Sequence, residues 1–279
     1  MQTSKMLDRE LLVVTCLRDR EQFLVQAKSI HRYLNPSDIT IVLNEIGDQQ
    51  LNLKTWFYHN CIQYYINHNL NIMFPEDFNL SIGDGYIRQQ LIKLLFFQHT
   101  EKKEYCILDS KNWLSKNINL SEFRNKSRIE LDPRSMDLFQ DFFIDVKILL
   151  KKNSVASGDK ITPIETPYVI DSMNCKQLIK DNFKTIGNFI KWFSSFPRPS
   201  EFLLYDLYLQ SVCHQELLSE NHNISKIFWT VDGTITEKKW NSFLKDESIK
   251  IIGIHKTPWK KLTENQKTFC VKSLDLFEI

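Results

Sequence analysis

The sequence predicts an α/β fold, with a mostly parallel central sheet flanked by helices in a single domain. Three observations predict it. Short, β-branched apolar runs end in polar residues, Leu11–Cys16 and Ile39–Leu43 being the clearest; this is the pattern of strands buried on both faces. Between those two runs the apolar residues recur at intervals of three and four, so the pair makes a β-α-β unit. Neither an internal repeat nor a break in composition divides the 279 residues, a length within reach of one α/β domain.

The elements follow in order. Leu11-Leu12-Val13-Val14-Thr15-Cys16 is the first strand and runs into Leu17-Arg18-Asp19-Arg20. Phe23, Leu24, Ala27, Ile30 and Leu34 then mark a helix, which Asn35-Pro36-Ser37-Asp38 stops. Ile39–Leu43 is the second strand and ends at Asn44-Glu45. The aromatic stretch from Leu51 to Phe78 is ambiguous; a helix over Trp56–Ile66 and a strand over Asn69–Phe74 fit it. Ser81–Gly85 reads as a turn, and Tyr86–Gln98 as a helix with Ile87, Leu91, Leu94 and Leu95 on one stripe. Tyr105–Leu108 is a short buried strand that delivers Asp109-Ser110-Lys111-Asn112.

In the second half, Met136–Leu150 has the spacing of an amphipathic helix, and Lys151–Lys160, polar and rich in small residues, reads as a mobile loop. Thr166–Ile170 is a strand, followed by a helix over Cys175–Phe193. Pro197-Arg198-Pro199-Ser200 breaks the chain, and the Ser200 hydroxyl can cap a helix over Glu201–Leu218. Ile227–Val231 and Ile249–Ile254 are late strands, the second leading into His255-Lys256-Thr257-Pro258-Trp259.

Composition excludes several classes. Seven glycines, with neither GxGxxG nor GxxxxGK[ST], remove the evidence for a dinucleotide-binding or P-loop protein. A net charge of +2 gives no field for nucleic acid. Cys16, Cys61, Cys106, Cys175, Cys213 and Cys270 are far apart and never paired as CxxC, so they read as scattered thiols in a reducing compartment, not a zinc site. The first ten residues lack the apolar core of a signal peptide. No run approaches the roughly 20 apolar residues that span a bilayer. The expectation is a soluble, cytoplasmic protein.

Ligands of parallel sheets collect at the carboxyl ends of the strands. Thr15, Arg18, Asp19, Asn44 and Glu45 fall there, and so does Asp109. A carboxylate so placed can hold a metal, a ribose hydroxyl or a sugar; a turn aspartate capping backbone amides is the alternative. On the helix after Gly85, Gln89 and Gln90 stand four and three residues before Lys93, so a polar group can face a ligand beside the apolar stripe. An ordinary exposed helix face is the other reading.

The order Val13-Val14-Thr15, Arg18-Asp19, then Gly85-Tyr86-Ile87-Arg88-Gln89-Gln90-Leu91-Ile92-Lys93-Leu94, then Leu108-Asp109-Ser110-Lys111-Asn112 resembles bacterial glycosyltransferase-like proteins of the DUF6492 type. These are similar to GT-A nucleotide-sugar glycosyltransferases, whose Rossmann-like sheet agrees with the pattern above. Thr166-Pro167-Tyr168, Ser200-Glu201-Phe202-Leu203-Leu204-Tyr205 and Gly253-Ile254-His255 continue the resemblance over most of the chain.

The resemblance implies a nucleotide-sugar-binding half, 1–112, and an acceptor-binding half, 113–279. It implies transfer of a sugar from a nucleotide-sugar donor to a glycan or lipid-linked glycan acceptor, in bacterial surface polysaccharide synthesis. The enzyme would be cytoplasmic, at the inner face of the membrane where its acceptor is lipid-linked. Thr15, Arg18 and Asp19 would then face the nucleotide, and Gln90, Lys93 and Lys256 the donor. Asp109 would be the first acid of the Asp-x-Asp element that holds a divalent ion, Mn or Mg, with His255 as a further ligand. Position 111 is lysine where the second acid belongs; its ammonium can itself neutralise phosphate, which sets metal dependence in question. Glu201, at the start of a helix after a loop, would be the general base of an inverting transfer.

Two other classes compete. A nucleotidyltransferase needs a glycine-rich loop after the first strand, and Leu17-Arg18-Asp19-Arg20 has no glycine. A non-catalytic carbohydrate- or nucleotide-binding protein on the same fold is favoured by Lys111.

Overall fold

In the computed structural model, which describes residues 8–276 apart from 127, 131–132, 151–159, 213–223, 230–232 and 234, the apolar runs meet edge to edge. The first half contains β1 (Arg9–Thr15), α1 (Arg20–Tyr33), β2 (Asp38–Leu43), α2 (Asp48–Asn60), β3 (Asn69–Met73), α3 (Gly85–Leu95), β4 (Glu104–Ile107) and β5 (Asn112–Leu114). Then follow β6 (Ile129–Glu130), α4 (Pro133–Leu149), β7 (Lys160–Ile161), β8 (Tyr168–Asp171), α5 (Ser172–Phe183), α6 (Ile186–Phe193) and α7 (Glu201–Val212). The chain closes with β9 (Ser225–Phe228), α8 (Glu237–Lys245), β10 (Ile251–Ile254), α9 (Lys256–Lys261) and α10 (Glu264–Lys272).

The main sheet has the order β3-β2-β1-β4-β8. Its first four strands are parallel, and β8 is antiparallel at the edge. The alternation along β1 explains why both faces are covered. Leu11 and Val13 point into one apolar cluster, shared with Phe23, Ala27 and Ile30 of α1 and Leu53 and Phe57 of α2. Leu12 and Val14 point into the other, shared with α3, α5 and α7. A second sheet, β5-β10-β9, has β9 and β10 parallel and β5 antiparallel. Trp113, Phe228, Trp240, Ile252 and Trp259 build its core. The architecture is α/β with a mostly parallel central sheet and flanking helices, as the sequence predicts. Among the described residues, no helix is long and apolar enough to cross a membrane.

Three local expectations change. The helix over Cys175–Phe193 is two helices, broken where Lys184 takes φ 65°. Thr185 then caps α6 by accepting from the Asn188 amide at 3.1 Å, and Phe189 folds back on Phe183 with ring centroids 5.1 Å apart. The helix over Trp56–Ile66 instead starts at Asp48 and stops at Asn60, because Leu53 and Phe57 form its buried stripe; Ile62–Tyr65 is a separate 3-10 turn. The short strand β5 escapes the sequence reading. The loop expected at 151–160 lies, but for its last residue, outside the described residues, as do the expected extension of α7 beyond Val212 and the end of the late strand at Val231.

Candidate functional site

Strands β1 and β4 are parallel neighbours, so Thr15 and Asp109 leave the main sheet at the same edge. The turn after β4 carries Asp109, Lys111 and Asn112 into the second sheet, where the Ile254 amide donates to the Lys111 carbonyl at 3.2 Å. That bond brings the carboxyl end of β10, and with it His255, to the same place. The turn is pinned from two sides. Gln26 on α1 donates its amide to the carbonyls of Asp109 at 2.7 Å and Asn112 at 2.9 Å. Thr166 accepts from the Asp109 amide at 3.1 Å and from the Asn112 side chain at 2.7 Å.

Four charged side chains alternate in sign across this turn. Lys111 Nζ donates to Asp109 Oδ2 at 2.6 Å, and Lys93 Nζ lies 3.0 Å from Asp109 Oδ1. Lys93 Nζ also donates to Glu201 Oε1 at 2.9 Å. The Gln90 amide, oriented by the surrounding network, donates to both oxygens of Glu201. Lys93 and Glu201 are buried, at 3% and 2% exposure, and a buried charge is tolerated only when paired and hydrogen-bonded. The formal charges of the four groups sum to zero.

Titration follows from this packing. Burial pushes the Asp109 carboxyl up, but Lys111 and Lys93 beside it win and hold it well below the usual carboxylate range. Burial works against the Lys93 ammonium, but Asp109 and Glu201 outweigh it and raise the group well above its ordinary value. At Glu201 burial prevails over Lys93 and the carboxyl is raised. His255 is lowered, by burial and then by Lys111.

Two of the expected site groups stand in a particular setting. Glu201 is turned inward with its oxygens engaged by Lys93 and Gln90. What it supplies is the counter-charge of Lys93. Asp109 and His255 are each engaged with other groups. Both Asp109 oxygens face ammonium groups, the position a divalent ion would need. The His255 ring stacks on Trp229 and accepts from the Thr257 amide at 3.5 Å. Among the described residues no three His, Cys, Asp or Glu stand together as ligands. A divalent ion does not fit this donor set.

The remaining candidates lie beside the cluster. Thr15 is buried, and its hydroxyl oxygen has no hydrogen-bond partner among the described residues. Asp19, in the 3-10 turn after β1, accepts from the Cys16 thiol at 3.3 Å. Arg18 of that turn and Arg20 at the start of α1 share a cleft of about 310 Å³ with Lys256 and Lys260 of α9 and Lys267 of α10. Glu21 is the acid in its lining, and it pairs with Lys267 at 3.6 Å. Arg18 and Lys256, read separately from the sequence, thus meet in one basic cleft.

Several residues of the site were not legible beforehand. Arg88, 2% exposed, donates Nε–H to Asn44 Oδ1 at 2.6 Å and Nη2–H to the Asn44 carbonyl at 3.0 Å. Asn44 in turn donates to the Gly85 carbonyl at 3.0 Å, tying the carboxyl end of β2 to the start of α3. Asn44 had the signal of a polar strand end; nothing marked Arg88 as an inward arginine, since that residue type mostly stays outside. Trp229 and Glu165 also meet here from distant positions, the indole N–H donating to Glu165 Oε2 at 3.3 Å.

Residues 13–275 match DUF6492, a family of unknown function. The chain belongs to this family. No curated protein matches it in sequence. The DUF6492 chain is similar to several solved glycosyltransferase structures. An active-site mutant of LgtC aligns with a TM-score of 0.50 at 11% identity, over 95% of this chain and 95% of that one. The galactosyltransferase LgtC, in complex with donor and acceptor sugar analogues, gives 0.49 at 13% identity over 97% of each chain. The bifunctional WbbM glycosyltransferase gives 0.47 at 12% identity over 91% of this chain, which spans 46% of that larger one. At 11% identity the likeness to the LgtC mutant is one of fold, and the fold is that of GT-A glycosyltransferases.

Proposed function

We propose that this DUF6492 protein is a glycosyltransferase that takes a sugar from a nucleotide-sugar donor to a glycan acceptor, with basic side chains in the place of a metal. The observation that carries this reading is the division of charge at the carboxyl edge of the sheet. The cleft of Arg18, Arg20, Lys256, Lys260 and Lys267 has five basic side chains against Glu21. It suits a diphosphate, whose negative charge grows as the sugar leaves; preorganised cations stabilise such charge. The neighbouring Lys93–Asp109–Lys111–Glu201 cluster is neutral overall and suits an uncharged sugar, its hydroxyls taking Asp109 as acceptor and Lys111 as donor. Glu201 and Gln90 act as positioning residues that keep Lys93 charged and Asp109 in place.

The test is calorimetric titration with UDP, GDP and ADP, with and without chelator, joined to hydrolysis of the matching nucleotide sugars. Binding of one nucleotide is expected to survive chelator and to weaken about tenfold in Arg18→Ala or Lys256→Ala. Binding that needs added manganese, or that ignores both substitutions, overturns the reading. A second reading has its own support, since internal lysines neutralise both Asp109 and Glu201: a non-catalytic nucleotide- or carbohydrate-binding protein. It would bind nucleotide and leave every nucleotide sugar intact.

A further inference from the structure

We propose that β3 is a self-association edge, which pairs antiparallel with the β3 of a second copy of this chain about a twofold axis at Asn71. The surface lies apart from the candidate site, and the inference does not rest on the transferase reading. The main sheet ends in β3 on one side and in β8 on the other. A sheet edge presents a row of backbone N–H and C=O groups, which proteins keep from pairing at random. On β8 that row is taken up within the chain. The Asn125 side chain donates to the Val169 carbonyl at 2.9 Å and accepts from its amide at 2.6 Å, and Tyr205 Oη accepts from the Asp171 amide at 2.9 Å. On β3 the row is left open. The Asn69 amide donates to the Ser37 carbonyl, so Asn69, Asn71 and Met73 turn their backbone groups to β2, and Leu70 and Ile72 turn theirs outward. Those four groups have no partner among the described residues. The open stretch is closed at both ends, where the His68 amide donates to the Tyr65 carbonyl at 2.9 Å and the Phe74 amide to Asp77 Oδ2 at 2.7 Å.

Two outward residues with one between them are the pattern that antiparallel self-pairing needs. Leu70 of each copy exchanges both hydrogen bonds with Ile72 of the other, which satisfies all four groups on each strand and sets Asn71 opposite Asn71. The strand Asn-Leu-Asn-Ile-Met has neither charge nor proline, the usual guards of an edge. The exposed residue on the axis is neutral, so no like charges oppose each other there. The flanks are apolar. Ile66, 75% exposed, lies just before β3; Leu51, 66% exposed, lines a cleft of about 230 Å³ with Lys54 and with Phe74 at the carboxyl end of β3. Antiparallel pairing sets the amino end of one strand beside the carboxyl end of the other. It thereby carries each Ile66 toward the other copy's cleft and removes apolar surface from water. A strand of another protein would meet the backbone groups alone, whereas a second copy also supplies an exposed isoleucine for each cleft.

Sedimentation of the full chain over a concentration series, from about 1 µM to about 100 µM, tests the association. The parent is expected to carry the mass of two chains at the upper end. Asn71→Lys sets two ammonium groups against each other on the axis and should weaken the dimer about fivefold, and Asn71→Glu should do the same with carboxylates. An equal mixture of the two variants should associate more tightly than either alone, because opposite charges then face one another. Melting curves at the lowest concentration check that each variant folds like the parent. Hydrogen exchange reads the edge directly: the Leu70 and Ile72 amides should be protected in the concentrated parent and exchange freely in the dilute one. The proposal is overturned by a parent that is monomeric at about 100 µM, by a dimer that both variants leave equally tight, or by a mixture no tighter than its components. A dimer in which the Leu70 and Ile72 amides exchange freely overturns it as well, since its contact then lies elsewhere.

Discussion

Lys93 sits 5.0 Å from the ring centre of Phe202, which stacks on Tyr168, and its Nζ has two carboxylates within 3.0 Å. An ammonium in such surroundings remains charged because each carboxylate offsets part of its desolvation. Removing one of them is therefore a test of packing as well as of chemistry. Glu201→Gln keeps the shape and a hydrogen-bonding oxygen but deletes one counter-charge. Breaking a buried pair typically costs about 3–5 kcal/mol, and Asp109 still faces Lys93 here, so about 3 kcal/mol of stability should be lost. Urea unfolding of parent and variant measures it. A variant as stable as its parent would show that the Lys93–Glu201 pair contributes nothing and would reopen Glu201 for a role toward substrate. The sequence placed Glu201 correctly at the start of a helix, where a carboxylate can cap backbone amides or act on a substrate. It could not show that α3 brings Lys93 and Gln90 against it, since that contact joins positions more than a hundred residues apart.

At the level of the elements, the join between β4, β5 and β10 decides where the site residues stand. Gly253, on β10, crosses Asn112 and the carbonyl of Lys111 so closely that a Cβ there would lie 2.8 Å from that oxygen. Gly253→Ala should push β10 away from the turn and destabilise the chain by about 1–3 kcal/mol, the usual cost of overpacking. It should also loosen the Lys111–Asp109 pair. Urea unfolding reads the first effect, and nucleotide titration in the same variant reads the second. Unchanged stability would mean that the backbone relaxes freely and that the join does not hold the site. Strands β1, β2 and β4 were legible because each is a short apolar run with a polar end, and α1 and α3 because their stripes are regular. β5 was not, since three residues give no period. The break at Lys184-Thr185 was not either, because the apolar spacing runs on through it while the backbone at Lys184 turns left-handed. Asp109 was legible from its place after a strand. The Trp229–Glu165 contact was not, because it depends on the parallel pairing of β9 with β10 and on where Thr166 is anchored.

Across the whole molecule, the half-buried His68 and His255 and the more exposed His99 contribute to the response to acid. His68 is lowered by burial and by His31, His99 by the partial covering of its ring on Phe78 at a ring distance of 4.5 Å, against the pull of Asp77, and His255 by burial and by Lys111. They belong to different parts of the fold, so their effects on stability should add. The unfolded chain protonates these rings near pH 6.5, while the folded chain resists until lower pH. Below that point the unfolded state binds more protons, so stability is complete above about pH 6.5 and is lost as pH falls toward the lowered folded values. A plain stability profile mixes these contributions, and a difference between parent and variant isolates one. In His99→Phe the replacement ring keeps the packing on Phe78 and removes the titration. Urea unfolding of both proteins from pH 8 to pH 5 should show the parent losing stability relative to the variant as pH falls through about 6.5. A constant difference over that range would mean that His99 protonates alike in folded and unfolded chains, and its burial would then have no part in the acid response.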